Sequence, residues 1–308
     1  MKEKEVYDFA YFEGMICPIE EANVNIRTHA LQYGTGCFEG IMAYQISPEK
    51  FSLVKCLEHY QRMKKSANIL GMKFPLTPEK ATEITIDLFR KNKPHSGVYI
   101  RPVLYKSSYD LGPKFCSIPE ELAIYMIPLG DYLDTNKGLK ATVSSWRRIS
   151  DNAIPTRAKA TGSYVNSALA KTEAIQGGFD EAIFLNEDGT VAEGSAENIF
   201  IVKDGNLITT PESSNILEGI TRKCILQIAN DLGLKIITRS IARTELYVAD
   251  EVFFCGTGAQ VAWVAEIDNR PVAKGEIGPV AQKIQKTYFD AVQNKLAQYR
   301  DWLKIIDL

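Results

Sequence analysis

The chain has 308 residues, 45% of them hydrophobic and 24% charged, with a formal net charge of −2. That length asks for one large domain or two modest ones, and the composition is ordinary for a globular enzyme. A near-neutral balance with no basic run excludes the electrostatic footprint of a nucleic-acid binder and leaves small molecules and other subunits as partners.

The six cysteines, Cys17, Cys37, Cys56, Cys116, Cys224 and Cys255, include no CxxC pair, a pattern that suits reduced thiols in a cytoplasmic enzyme. His29, His59 and His95 stand in no ligand spacing, so no metal site is expected. The stretch Met1–Val6 is charged and is not expected to be a signal peptide. No run approaches the roughly 18 apolar residues of a membrane span. Cytoplasmic localisation is the expectation.

In chain order, the first distinctive segment is Gly34-Thr-Gly-Cys-Phe-Glu-Gly40. Its GxGxxxG spacing, with no hydrophobic strand before it, does not make a dinucleotide-binding loop. Residues 55–70 carry a helical period. Tyr99–Tyr105 and Leu122–Ile127 read as strands. The polar stretch Leu129–Gly138 predicts a boundary, with a linker at 131–137 joining domains 1–130 and 138–308. A long loop within one domain would read the same way.

Lys159 follows in Arg157-Ala-Lys159-Ala-Thr-Gly162-Ser-Tyr164-Val-Asn166, ahead of a helix expected over 163–176 and stopped by Gly177-Gly178. A lysine in such a turn is commonly just solvated. Its small neighbours also leave room for a planar ring, with Tyr164 near enough in sequence to reach the same cavity. Ala182–Leu185 reads as a strand turning at Asp188-Gly189 into Glu193-Gly-Ser-Ala-Glu-Asn198. A carboxylate there is either a turn residue or one aimed at a ring nitrogen, and residue chemistry does not choose between Glu193 and Glu197.

Asn198–Val202 reads as a strand with a tight turn at Asp204-Gly205. Leu217-Glu-Gly219-Ile220-Thr221-Arg222 opens a helix over 219–232 whose N-terminus is either hydroxyl-capped or open to a phosphate. Glu251–Phe254 reads as a strand running into Cys255-Gly-Thr257-Gly258-Ala259-Gln260, a plain turn or a set of backbone donors for an anion. A last helix is expected near 278–299. A lysine, a carboxylate, a helix N-terminus and an anion-binding turn are together what pyridoxal 5′-phosphate (PLP) chemistry requires.

On these residues the chain resembles the fold-type IV (class IV) PLP-dependent aminotransferases, and within them the branched-chain amino-acid aminotransferases. The likeness runs from His29-Ala-Leu-Gln-Tyr-Gly34 to about Val264. It is most specific at Ala158–Tyr164, Glu193–Asn198, Gly219–Arg222 and Leu246–Glu251. The resemblance implies an α+β fold: a small α/β N-terminal domain and a larger C-terminal domain with a barrel-like sheet, binding PLP between them, in at least a homodimer.

By resemblance Lys159 is the lysine that carries the cofactor and is the catalytic residue. Glu193 is similar to the partner of the pyridine nitrogen, and Tyr164 to the tyrosine on the phenolic oxygen. Arg62 resembles the arginine gripping the phosphate, joined by Gly219, Ile220, Thr221 and Thr257, while Leu217 packs on the ring. For substrate, Tyr33, Phe38, Tyr99 and Tyr132 match the pocket's aromatic positions, and Arg101 the arginine that meets a dicarboxylate. The turn Thr257-Gly258-Ala259 matches the one that receives the α-carboxylate.

Four positions depart from the family. Gly258 stands where alanine is usual, Met42 replaces an arginine, and Leu129 and Asp131 alter the familiar Pro-Trp-Gly-Ala-Tyr block. The implied activity is a ping-pong transfer of the amino group of L-Leu, L-Ile or L-Val to 2-oxoglutarate, with Lys159 as base and then acid. The alternatives are a D-amino-acid or (R)-amine aminotransferase of the same fold, an aminodeoxychorismate lyase, and a binding protein on an old enzyme fold.

Overall fold

Short β-rich runs alternating with amphipathic helices predict a mixed chain. The computed structural model, which describes residues 7–128 and 137–308, is one. Strands β1 (Phe9–Phe12) and β2 (Met15–Pro18) lead to α1 (His29–Tyr33), β3 (Gly36–Phe38), β4 (Ile41–Ser47) and β5 (Lys50–Val54). Helices α2 (Cys56–Ile69) and α3 (Pro78–Asn92) precede β6 (Val98–Lys106) and β7 (Glu120–Pro128). Then come β8 (Leu139–Arg147), α4 (Tyr164–Gln176), β9 (Glu181–Leu185), β10 (Val191–Gly194), β11 (Asn198–Lys203) and β12 (Asn206–Thr209). The chain ends through α5 (Ile220–Asp231), β13 (Ile236–Thr238), β14 (Glu251–Gly256), β15 (Gln260–Ile267), β16 (Arg270–Pro271), α6 (Pro279–Val292) and β17 (Leu303–Asp307). Leu129, Tyr132 and residues 131–136 of the expected linker lie outside the described residues.

These elements form two compact units. The first comprises described residues up to 128 together with 158–162 and 291–308, and the second 137–157 with 163–290. In the first, an antiparallel sheet runs β17-β5-β4-β6-β7-β1-β2, with β3 paired to β6. Antiparallel strands can bury one face and leave the other wetter, and β6 does so. Val98 and Ile100 are buried, while Tyr99 and Arg101 share the half-buried face. Helices α2 and α3 lay Tyr60, Met63, Leu88 and Phe89 against Phe51, Leu53, Ile100 and Ile124. Each such side chain is worth about 1.5–3 kcal/mol when fully buried.

In the second unit the sheet runs β10-β9-β8-β15-β14-β11-β12-β13 and curls into a half-barrel. Of its three parallel pairs, β8–β9 and β12–β13 have crossover connections supplied by α4 and α5, and the third joins β8 to β15. Ala170 and Ala174 bring α4 close to Ala182 and Phe184, and Phe200 stacks on Phe253 directly across β11 and β14.

Helices α2, α4 and α5 match the expected spans. The last helix stops at Val292 rather than 299, because Asn294 is left-handed (φ 58) and the chain resumes as a 3₁₀ turn at Ala297–Trp302. No helix among the described residues is long and apolar enough to cross a membrane.

Candidate active site

Lys159 packs with the first unit, in a segment that runs beside β3. Phe38 N–H donates to the Lys159 carbonyl at 3.1 Å and Gly162 N–H to the Gly34 carbonyl at 3.1 Å. Lys159 N–H in turn donates to Ser66 Oγ of α2 at 3.1 Å. Gly34 is left-handed (φ 65), and a Cβ on it would lie 2.8 Å from Gly162 Cα. The first glycine of the GxGxxxG run therefore closes this seam rather than cradling a phosphate. Lys159 Nζ stands 5.0 Å from the centroid of the Phe38 ring, within reach of a cation–π contact.

Arg62 and His59 lie three apart on α2 and so share a face. Both reach Glu39, which has no exposed surface. Arg62 Nε and Nη2 donate to the two Glu39 oxygens at 2.7 Å each, and His59 Nδ1 lies 2.7 Å from Oε2. Burial alone would raise Glu39. The Arg62 and His59 charges and hydrogen bonds outweigh it and hold the carboxyl well below the usual range. Burial pulls His59 downward against the attraction of Glu39, so it tends to the neutral form. Glu39 is a site-building residue that sequence reasoning missed; the paired His59 and Arg62 spacing was its only signal.

Arg101 stands on β6 with its guanidinium 4.4 Å from the Phe38 ring centroid and 5.1 Å from that of Tyr99. Its Nη2 donates to Tyr99 Oη at 2.9 Å. Its Nε is buried without a partner, and no carboxylate among the described residues pairs with it. An arginine held by aromatic faces and one hydroxyl is ready for an anion. Tyr33 is 37% exposed at the end of α1, where its hydroxyl accepts from Gly112 N–H at 3.2 Å.

In the second unit the two glutamates differ in what surrounds them. Arg148 Nη2 lies 2.8 Å from Glu193 Oε1. Asn198 Nδ2 donates to Glu193 Oε2 at 3.0 Å, and Leu217 N–H reaches both oxygens at 3.3 and 3.2 Å. Arg148 is itself tied to the Asn215 carbonyl at 3.1 Å. Glu197 has no such cation. Burial first, then the Glu181 charge, push it up to about 8. Glu193 is the carboxylate that is paired with a cation. Arg148, just past the end of β8, carried no motif that would have singled it out.

Asn198 also donates to the Leu217 carbonyl at 2.9 Å, which anchors the approach to α5. A Cβ on Gly219 would run into Asn198 Oδ1, so glycine is required there. Gly219 caps α5, with no side chain on the first N–H groups, and Ile220 and Thr221 follow. The hydroxyl cap weighed from the sequence is not made, and no side-chain cap bond is found at this helix end among the described residues. Tyr164 opens α4 and is half-buried. Thr257, Gly258 and Ala259 form the turn from β14 to β15, and Gly256 just before them lies beside the 196–197 backbone. The left-handed residue of that turn is Gln260 (φ 57), not Gly258, so glycine's freedom is unused.

The model of the family described as amino-transferase class IV matches residues 36–267. The chain belongs to the class IV aminotransferases. It is therefore an enzyme that transfers amino groups.

Relatives within the class are alike over nearly the whole chain. A probable branched-chain-amino-acid aminotransferase of Aquifex aeolicus is 49% identical, with 96% of each chain covered. The branched-chain-amino-acid aminotransferase of Pseudomonas aeruginosa is 39% identical, again over 96% of each. Among solved structures, the branched-chain aminotransferase of Thermoproteus uzoniensis with norvaline aligns with a TM-score of 0.94 at 41% identity, covering 98% of this chain and 99% of that one. The branched-chain amino acid aminotransferase of Escherichia coli aligns at 0.91 and 36% identity, covering 97% and 99%.

Class IV aminotransferases use PLP, and the residues of this member fit such a group. A helix end with no side-chain cap bond among the described residues suits a phosphate. A buried, cation-fixed carboxylate at Glu193 suits a protonated ring nitrogen.

Proposed function

We infer that this enzyme is a branched-chain amino-acid aminotransferase, using PLP to move the amino group of L-leucine, L-isoleucine or L-valine to 2-oxoglutarate. The observation that carries the reading is its likeness, at up to 49% identity, to relatives of that name over nearly the full length of both chains. Bound PLP supplies an aldehyde that receives the amino group and a ring that takes up the electrons released at the substrate's Cα.

In this reading Lys159 Nζ would hold the cofactor until the substrate's amino group displaces it, and the freed amine would take up the Cα proton as base and give it back as acid. Glu193 keeps the ring nitrogen protonated. Gly219, Ile220, Thr221, Thr257 and Arg62 hold the phosphate, Tyr164 the phenolic oxygen, and Leu217 the ring face. Tyr33, Phe38, Tyr99 and Tyr132 line the side-chain pocket. Backbone N–H groups of Thr257–Ala259 take the α-carboxylate. Arg101, with no carboxylate partner among the described residues, takes the distal carboxylate of glutamate. One methylene in an apolar pocket is worth only about 1–3 kcal/mol, so the three branched substrates are not sharply separated.

The functional division is into domains 1–130 and 138–308 about a linker at 131–137. The enzyme works in the cytoplasm, and the lack of a disulfide at any of the six cysteines is in keeping with a reducing compartment. It assembles at least as a homodimer. Supporting this, Val24, Ile26, Leu31, Tyr109 and Leu111 are all at least half exposed. The two segments that bear them are tied together by His29 N–H donating to the Ser108 carbonyl at 2.8 Å. Apolar side chains gathered in that way mark a protein contact surface.

The test is a half-reaction. Adding L-leucine to the PLP-loaded protein without a keto acid should convert the cofactor's visible absorbance to that of its amino form, and 2-oxoglutarate should restore it. Conversion by D-amino acids but not by L-leucine overturns the branched-chain reading and leaves the family standing.

A further inference from the structure

The turn from Glu193 to Asn198 brings two carboxyls into the interior of the second unit, and Glu181 on β9 adds a third. Arg148 pairs with Glu193 at 2.8 Å and Lys171 with Glu181 at 2.6 Å. Glu197 has neither cation. It is 2% exposed, its Oε2 accepts from Ala196 N–H at 3.0 Å, and its Oε1 is buried without a partner. Gly194 lies beneath it, where a Cβ would be 2.9 Å from Oε2. Ionised, this carboxyl would be desolvated, unpaired and close to two like charges.

We propose that Glu197 keeps its proton and is a positioning residue, a neutral acid that leaves Glu193 as the only anion at the turn and so sets how tightly Glu193 holds a cationic ring nitrogen. The proposal rests on the reading in which Glu193 meets that nitrogen. The groups facing Glu197 are Glu181 from β9 with Lys171 of α4 behind it, Glu193 from β10, and Cys255 from β14. Burial pushes the Cys255 thiol far up, so it stays neutral. Arg222 is committed to the Thr210 carbonyl at 2.9 Å and to Glu212 at 3.4 Å. Glu197 gains charge only near pH 8, where burial and Glu181 have moved it. That charge adds a second anion beside Glu193 and strengthens its hold on a cation.

The experiment compares the wild-type holoenzyme with Glu197→Gln, an uncharged isostere. At neutral pH wild type should show the infrared carbonyl stretch of a protonated carboxylic acid, missing from E197Q and fading from wild type as pH passes about 8. PLP dissociation constants should agree within about twofold near neutrality, since amide and acid are both uncharged. About 1.5 pH units above the transition wild type should hold PLP about tenfold more tightly, one pKa unit of coupling being tenfold.

Absence of the infrared band at neutral pH, or dissociation constants that run parallel across the range, overturns the proposal. Glu193→Gln separates the two inferences. If it leaves PLP affinity unchanged while the band persists, the Glu193 reading fails and with it the coupling. If it weakens PLP binding and no band is found, the reading stands and the proposal for Glu197 falls.

Discussion

Glu193 and Arg148 are 4% and 7% exposed, so neither charge can turn to water if the other is removed. Replacing Arg148 with methionine keeps the bulk and takes the paired guanidinium from the buried Glu193 carboxylate, while the Asn198 amide and the Leu217 N–H remain. Breaking a buried pair in this way costs about 3–5 kcal/mol. We expect R148M to lower the unfolding free energy in urea by that amount and E193Q/R148M to recover part of it; a double variant no better than R148M would mean that the pair is not coupled. A second prediction concerns Gly40. A Cβ there would collide with the Tyr99 hydroxyl, the group that receives the Arg101 hydrogen bond. A hydrogen bond to a charged group is worth about 1.5–3 kcal/mol. Gly40→Ala should therefore raise KM for glutamate about tenfold or more, and KM for leucine by less, since Tyr99 lines the side-chain pocket for both but holds Arg101 for glutamate alone. A uniform rise for both substrates would show that Gly40 serves packing alone.

At the scale of the element, α3 offers the cleanest case. Thr77 Oγ1 accepts from Lys80 N–H at 3.1 Å and Pro78 follows at the first helical position. Thr77→Ala should cost about 1 kcal/mol in a denaturant melt and leave turnover unchanged, since no part of α3 belongs to the proposed site. These start signals stand in the sequence, yet periodicity alone singles out α2, α4 and α5, whose apolar stripes and boundaries are clearer. The end of α6 escapes the sequence for a different reason: apolar residues resume at Leu296, Ala297 and Tyr299 after three polar ones, and the left-handed Asn294 ends the helix between them. Legible in the site are contiguous blocks, such as Glu193–Asn198 and Gly219–Arg222, whose residues act near one another in the chain. Partners brought in by packing are not legible. Glu39 meets Arg62 only once β3 and α2 close on each other. Glu193 is distinguished from Glu197 only by which of them receives Arg148.

Over the whole molecule, buried ionisable groups of opposite tendency shape stability against pH. Glu39 sits well below the ordinary carboxyl value of 4.5, held there by Arg62 and His59 against burial. Its contribution is present above 4.5 and is lost as pH falls toward its folded value, because the unfolded chain then binds the extra proton. His59 is lowered from 6.5, chiefly by burial, so unfolding takes up a proton below 6.5 and stability climbs with pH up to that point. Glu197 works the other way. Raised from 4.5 to about 8, it is protonated when folded and ionised when unfolded across that window, so its contribution declines as pH rises. Below 6.5 His59 opposes that decline. Between about 6.5 and 8 Glu197 acts without this opposition, and stability should fall by up to about 1.4 kcal/mol per pH unit. Urea unfolding followed from about pH 6.5 to 8 should show this fall in wild type and a flat line in E197Q. Equal slopes in the two proteins would place the Glu197 proton elsewhere.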